Sequence, residues 1–260
     1  MPLIYGVVQM GATMSTTQAT PRVEERHGLA LPPGQRAVEG FPRFGTHLHH
    51  PPPAVPAHPV IEVGGDLTLA VPLSDLARMP RREVVADLHC VAGWSAVGLR
   101  WEGVAFRTFY DEVIAPALDR ADAIGHVAFV GLDGHRSVAT IEDALGDDVL
   151  IAENLDGRPL DGDHGAPARL VSPSQYGFVS TKHLCRIEVH AGPATSASRS
   201  LADRLLEEHP RARVWREERH ARVPGRAIRT VYRLLIPPIR YLSARGAEST
   251  SEMRRVSATR

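Results

Sequence analysis

Apolar and polar residues alternate in short runs from about residue 60 to about residue 190. "VIEV" (60–63) and "LTLAVPL" (67–73) read as strands on either side of the Gly64-Gly65 turn, and "REVVADLHC" (82–90) alternates into another. "HVAFVGLD" (126–133), "DVLIAE" (148–153), "ARLVSP" (168–173) and "LCRIEVH" (184–190) continue the series. Helical spacing is brief. "SDLARM" (74–79) predicts a short helix capped by Ser74, "FRTFYDEVIAPALD" (106–119) a longer one, and "TIED" (140–143) is a capping box. No βαβ rhythm recurs, so the pattern predicts an α+β domain with a mixed or antiparallel sheet.

The flanks differ. Residues 1–38 combine Pro, Gly, Thr and Gln with scattered charge and read as a loop-rich leader. "HLHHPPPAVPAHPVIEVGG" (47–65) opens as a proline-stiffened, extended surface segment. After "AGPATSAS" (191–198) the period lengthens into basic, amphipathic helical stretches broken at Pro210, Pro224 and Pro237-Pro238. The expected organisation is a leader (1–38), a central domain (39–190) and a basic helical extension (191–260) that docks on a partner or packs on the core.

Composition narrows the classes. With 43% hydrophobic residues among 260, the chain can bury a core, which excludes global disorder. The net charge of zero is unevenly spread: from Arg199 onward there are 15 arginines against 7 acidic residues. Only two cysteines are present, with no CxxC pair, so neither a disulfide scaffold nor a Cys-rich zinc site is expected. No apolar run reaches the roughly 18 residues of a membrane span. The first residues carry no secretory pattern, and a cytoplasmic protein is expected. Of 30 basic residues only Lys182 is a lysine, which marks its site as one that calls for a compact ammonium rather than a planar fork.

Two stretches carry candidate chemistry. In "ADLHCVAGWSAVGLRWEGV" (86–104) Cys90 ends an alternating strand just before a glycine turn, a place that exposes a sulfur at a sheet edge. Taken alone, it is either a core thiol or a functional thiolate, and His89 should face the opposite side of the strand. In "DGDHGAPARLVSPSQYGFVSTKHLCRIEV" (161–189) Arg169 suits a planar oxyanion, and the Ser180-Thr181-Lys182 loop offers hydroxyls, backbone N–H groups and an ammonium. The alternatives are a phosphate cradle and a plain surface loop. "HLHH" with His58 is a weaker metal candidate, because it lies in a proline-rich segment without helical spacing.

Together the two stretches resemble the sulfite oxidase-type molybdopterin oxidoreductases, over roughly residues 38–190. Cys90 with Trp94 is similar to the family's C-x-x-G/A-W setting, and His164 through Glu188 is similar to its His-Gly-x-Pro-x-Arg to Ser-x-Lys block. The resemblance implies a β-rich molybdopterin-binding domain and a molybdenum–molybdopterin cofactor, with Cys90 as molybdenum ligand and catalytic centre. It also implies pterin and phosphate contacts from His47, His164, Arg169, Ser180, Thr181 and Lys182. The aromatic and glycine residues near Cys90 are then expected to shape the rim of its pocket, and Cys185 to be a passive core thiol. The implied activity is oxygen-atom or two-electron transfer to a small-molecule substrate, with electrons exchanged with an unidentified redox protein. Gly45 and Thr46 stand where sulfite oxidases carry an arginine, and His135 or Arg136 where they place a substrate-side tyrosine, so sulfite is not the expected substrate. A non-catalytic interaction module is the competing reading, but it gives no reason to keep Cys90, Arg169 and Lys182 together. An Arg-rich tail bound to nucleic acid is another. That tail has no recognisable reading motif and alternates with Glu and Leu, so a protein partner fits it better than nucleic acid.

Overall fold

A computed structural model describes residues 30–43, 51–192 and 209–232, together with positions 234, 237 and 241. Eleven strands are described, in two sheets. The first sheet is organised by its longest strand. Twelve-residue β5 (Trp94–Ala105) pairs along one edge with β4 (Arg81–His89), antiparallel. Its other edge is shared between β1 (Arg36–Val38), parallel at Trp94 to Ala96, and β8 (Leu150–Leu155), antiparallel at Trp101 to Ala105. β8 in turn pairs with β9 (Arg158–Pro159) and β10 (Arg169–Val171). The second sheet has the order β3-β2-β11-β6-β7, from β2 (Val60–Gly65), β3 (Leu69–Pro72), β6 (Ile124–Gly131), β7 (Arg136–Thr140) and β11 (Leu184–Ala191). Its one parallel pairing, β2 with β11, makes it mixed.

The first sheet is buried on both faces where β8 and β10 run, because successive residues of a strand point opposite ways. Ile151 and Leu170 join the core shared with Ile61, Phe129 and Ile187 of the second sheet. Their neighbours Leu150, Ala152 and Val171 join a second cluster with Cys90, Trp94 and Trp101. The same alternation turns Arg169 away from Leu170 and onto the Cys90 side. α1 (Phe106–Phe109) runs on through a wide turn (Tyr110–Ile114), and α2 (Ile141–Ala144) is capped by Thr140, whose hydroxyl accepts from the Asp143 N–H at 3.2 Å.

Three expectations are corrected. Leu73–Arg78 is a 3-10 turn preceded by Pro72, with no side-chain cap from Ser74. Residues 36–38 form β1 rather than leader loop, because the strand edge at Trp94 to Ala96 is otherwise unpaired. The described part of the basic tail is only partly helical: residues 209–220 are irregular apart from the turn Val214–Arg216, and residues 225–232 are helical. The tail residues 193–208 lie outside the described residues.

Two glycines of β5 separate close approach from backbone conformation. A Cβ on Gly103 would collide with the Ile151 carbonyl across the β5–β8 pairing, whereas Gly98 at φ 67° has nothing within 4 Å. Gly103→Ala should therefore cost about 3 kcal/mol or more. Gly98→Ala should cost only the left-handed backbone term, about 1 kcal/mol. Urea unfolding of the two variants checks the order.

Candidate active site

Cys90 sits at the tip of the β4–β5 hairpin. Its N–H donates to the Trp94 carbonyl at 2.8 Å and its carbonyl accepts the Gly93 N–H at 2.9 Å, closing a three-residue loop. Gly93, at φ 96°, supplies the left-handed residue that such a loop needs at its end. Gln35 ties the turn to the segment before β1: its Nε2 donates to the Cys90 carbonyl at 3.1 Å, and its Oε1 accepts from Ser95 at 3.2 Å. His89 Nδ1 lies 2.7 Å from the Ser95 hydroxyl, so this histidine is held in the turn and is no partner for the sulfur. The thiol is buried, and burial pushes it up to about 12 against the Ala92 N–H and the charges of Arg219 and Lys182. On its own it stays a neutral thiol at physiological pH. A metal cation would displace that proton, since coordinating thiols are deprotonated.

The second stretch folds around Asp161. Its carbonyl accepts the N–H groups of His164, Gly165 and Ala166, and its carboxylate lies 2.8 Å from His164 Nδ1. His164 Nε2 is 2.9 Å from the Phe41 carbonyl, so both ring nitrogens are engaged within the fold. Arg169 is 1% exposed, with its guanidinium 5.1 Å from the Trp101 ring and 5.8 Å from the Phe41 ring. It donates to the carbonyls of Leu170, His164 and Ser180 at 3.3, 3.0 and 2.9 Å, and its described partners include no carboxylate. Burial lowers its pKa to about 9, which leaves the guanidinium charged at neutral pH. Lys182 Nζ donates to the Asp163 carbonyl at 2.6 Å. Burial and the charges of Arg169 and Arg43 pull its pKa down to about 7, against Asp163 and Asp133.

Among the residues expected at the site, Cys90, Arg169 and Lys182 are linked: the charge of Lys182 acts on Cys90 and that of Arg169 on Lys182, and Trp101, in the Cys90 cluster, lies against the guanidinium. His164 borders this group through its carbonyl on Arg169. The hydroxyls of Ser180 and Thr181 both make hydrogen bonds inside the fold. Ser180 Oγ accepts the Ser172 N–H at 3.0 Å, and Thr181 Oγ1 lies 2.7 Å from the Ser137 hydroxyl. His47 lies outside the described residues. Trp94 and Trp101 are corrected, as core residues rather than rim, 3% and 0% exposed.

Four residues escaped the sequence reading. Arg43 lies 3.5 Å from the Asp163 carboxylate, and Asp133 faces Lys182 from the turn after β6. Arg219 is fully buried beside the Cys90 turn. Asp133 read only as the end of the strand "HVAFVGLD" (126–133), and nothing in an arginine-rich tail distinguishes an arginine that points inward.

Comparison with known proteins identifies the family. The model of the family described as oxidoreductase molybdopterin binding domain matches residues 49–198, more than half of the chain. Mitochondrial sulfite oxidase of Mus musculus is 33% identical over 193 residues, covering 62% of this chain and 35% of that protein. The protein-methionine-sulfoxide reductase catalytic subunit MsrP of Xanthomonas axonopodis pv. citri is 30% identical over 173 residues, covering 58% of this chain and 52% of that protein. Sulfane dehydrogenase SoxCD from Paracoccus pantotrophus aligns with a TM-score of 0.47 at 19% identity, covering 80% of this chain and 62% of that one. The chain thus spans between about a third and about half of the two relatives' lengths. The match covers the hairpin, Arg169 and Lys182 alike, and the chain belongs to the oxidoreductase molybdopterin-binding domain family, of the sulfite oxidase type.

Proposed function

We propose that this chain binds a molybdenum–molybdopterin group, with Cys90 as the metal's protein ligand, and carries out two-electron or oxygen-atom transfer on a small molecule. The cation cluster carries the reading. The charges of Arg169 and Arg43 converge on Lys182, set against the carboxylates of Asp163 and Asp133, and among the described residues Arg169 donates to backbone carbonyls. A phosphate balances that charge and takes charge-assisted hydrogen bonds from guanidinium and ammonium. The remaining donor supports the same group, since a soft thiolate suits a high-valent metal carrying sulfur ligands.

The bound group supplies the redox chemistry, as cofactors do. The protein supplies position. The hairpin fixes Cys90 Sγ, Trp101 and Phe41 fix the plane of Arg169, and Lys182 brings a second cation to the same anion. Gly45 and Thr46, in place of an arginine, direct the reading away from sulfite, and we infer a different oxygen-accepting or oxygen-donating substrate. Electrons pass to or from a separate redox protein in this reading. Among the described residues no helix is long and apolar enough to cross a membrane.

Arg169→Met and Lys182→Met should each lower the cofactor content of the purified protein about tenfold or more, since a hydrogen bond to a charged group contributes roughly 1.5–3 kcal/mol. Full occupancy in both variants, by molybdenum and pterin assay, would remove the phosphate from this cluster.

The lysine also predicts a pH dependence in the cofactor-free protein. Its pKa is about 7 when folded against 10.5 ordinarily, so between those values the unfolded chain binds a proton there that the folded chain does not. Stability should then rise with pH across that window. Urea midpoints measured from pH 7 to about pH 10 should climb in the wild type, and climb less in Lys182→Met.

A further inference from the structure

The carboxy-terminal segment delivers a second arginine to the Cys90 turn by a construction of its own. Ala212 and Val214 dock on the chain before β11: the Tyr176 N–H donates to the Ala212 carbonyl at 2.9 Å, and the Val214 N–H to the Ser174 carbonyl at 3.1 Å. Arg213 then clamps Glu218 through Nε and Nη2 at 2.9 and 2.6 Å, and Glu217 reverses the chain at φ 55°. The next side chain, Arg219, goes inward and is 0% exposed. Its Nη1 donates to the Val91 carbonyl, one residue past Cys90, and its guanidinium lies 4.9 Å from the centre of the Tyr176 ring.

What this arginine leaves unused is specific. Nε and Nη2 of Arg219 are buried without a hydrogen-bond partner, and so is the Tyr176 hydroxyl. Nε and Nη2 form the side-on edge of the guanidinium, the edge that takes two oxygens of one planar or tetrahedral anion. Three other described arginines fill that edge. Arg186 uses it on Glu62, Arg211 on Asp143 and Arg213 on Glu218. Glu218 and Glu217, the two acidic residues just before it in sequence, are taken by Arg213 and Arg229 instead. Buried donors of a charged group rarely go unsatisfied, because the group then bears its full desolvation cost.

We propose that the Nε/Nη2 edge of Arg219 and the Tyr176 hydroxyl form an oxyanion subsite at the Cys90 turn, distinct from the Arg43–Arg169–Lys182 cluster. The inference rests on the function proposed above in one respect: at that place the oxyanion is an anionic substrate of the redox centre or an oxygen-bearing part of its cofactor. Arg219 is then a substrate- or cofactor-binding residue contributed by the tail.

Inorganic sulfate is the probe, titrated calorimetrically into the purified full chain, with molybdenum content measured in the same samples. Arg219→Met should weaken sulfate binding at this subsite about tenfold or more. Tyr176→Phe guards against a folding artefact. It removes a hydroxyl with no protein partner, so the thermal midpoint without sulfate should hold or rise while sulfate affinity falls. Survival of all sulfate binding in both variants, with loss only in Arg169→Met, overturns the subsite. If Arg219→Met loses molybdenum together with sulfate binding, the oxyanion belongs to the cofactor; if molybdenum stays, it belongs to the substrate. Arg219-dependent sulfate binding in protein that never contains molybdenum keeps the subsite and removes the molybdenum reading.

Discussion

Arg169 lies inside the protein with its charge intact, stacked over Trp101 and bonded only to backbone carbonyls. Burying a cation without a counter-ion is costly, and a domain accepts that cost where an anion is to arrive. Much of the local architecture serves this one side chain. β10 alternates so that Arg169 faces away from the core between the sheets, and long β5 places Trp101 beneath it. The Asp161 turn orients the His164 carbonyl to receive one guanidinium N–H, and the Ser180 carbonyl receives another. Lys182 follows two residues past Ser180, close enough for its own charge to be weakened by Arg169.

The Cys90 hairpin answers the same arrangement from the other end of β5. Its turn is held from both flanks of the chain, by Gln35 before β1 and by Arg219 of the tail. Tertiary contacts of this kind set a ligand's position more firmly than a loop can alone. They also make the described tail residues part of the site's wall, which is the second of the two roles expected of the tail, packing on the core.

Legibility followed physical range. Alternation over 4 to 8 residues is a local signal, and it located β2, β4, β6, β8 and β11 and the capped α2. The Cys90 turn was readable because a strand, a thiol and a glycine stand within four positions, and Arg169 and Lys182 because their spacing matches a known block. β5 was missed, since its Gly98 and Gly103 and the charges of Arg100 and Glu102 interrupt the apolar pattern that pairing on both edges supports. The hydroxyls of Ser180 and Thr181 look free in sequence, and only tertiary packing against Ser172 and Ser137 shows them bonded within the fold. Arg219 was hidden for a compositional reason: in a tail with 15 arginines, a buried guanidinium has no local mark.

X-ray absorption at the molybdenum edge of the purified chain tests the central claim, that Cys90 and this pocket hold the metal. Wild-type protein should show one sulfur neighbour more than Cys90→Ser, with Cys185→Ser matching the wild type. An identical sulfur count in wild type and Cys90→Ser, or a protein that carries zinc and no molybdenum, would contradict it.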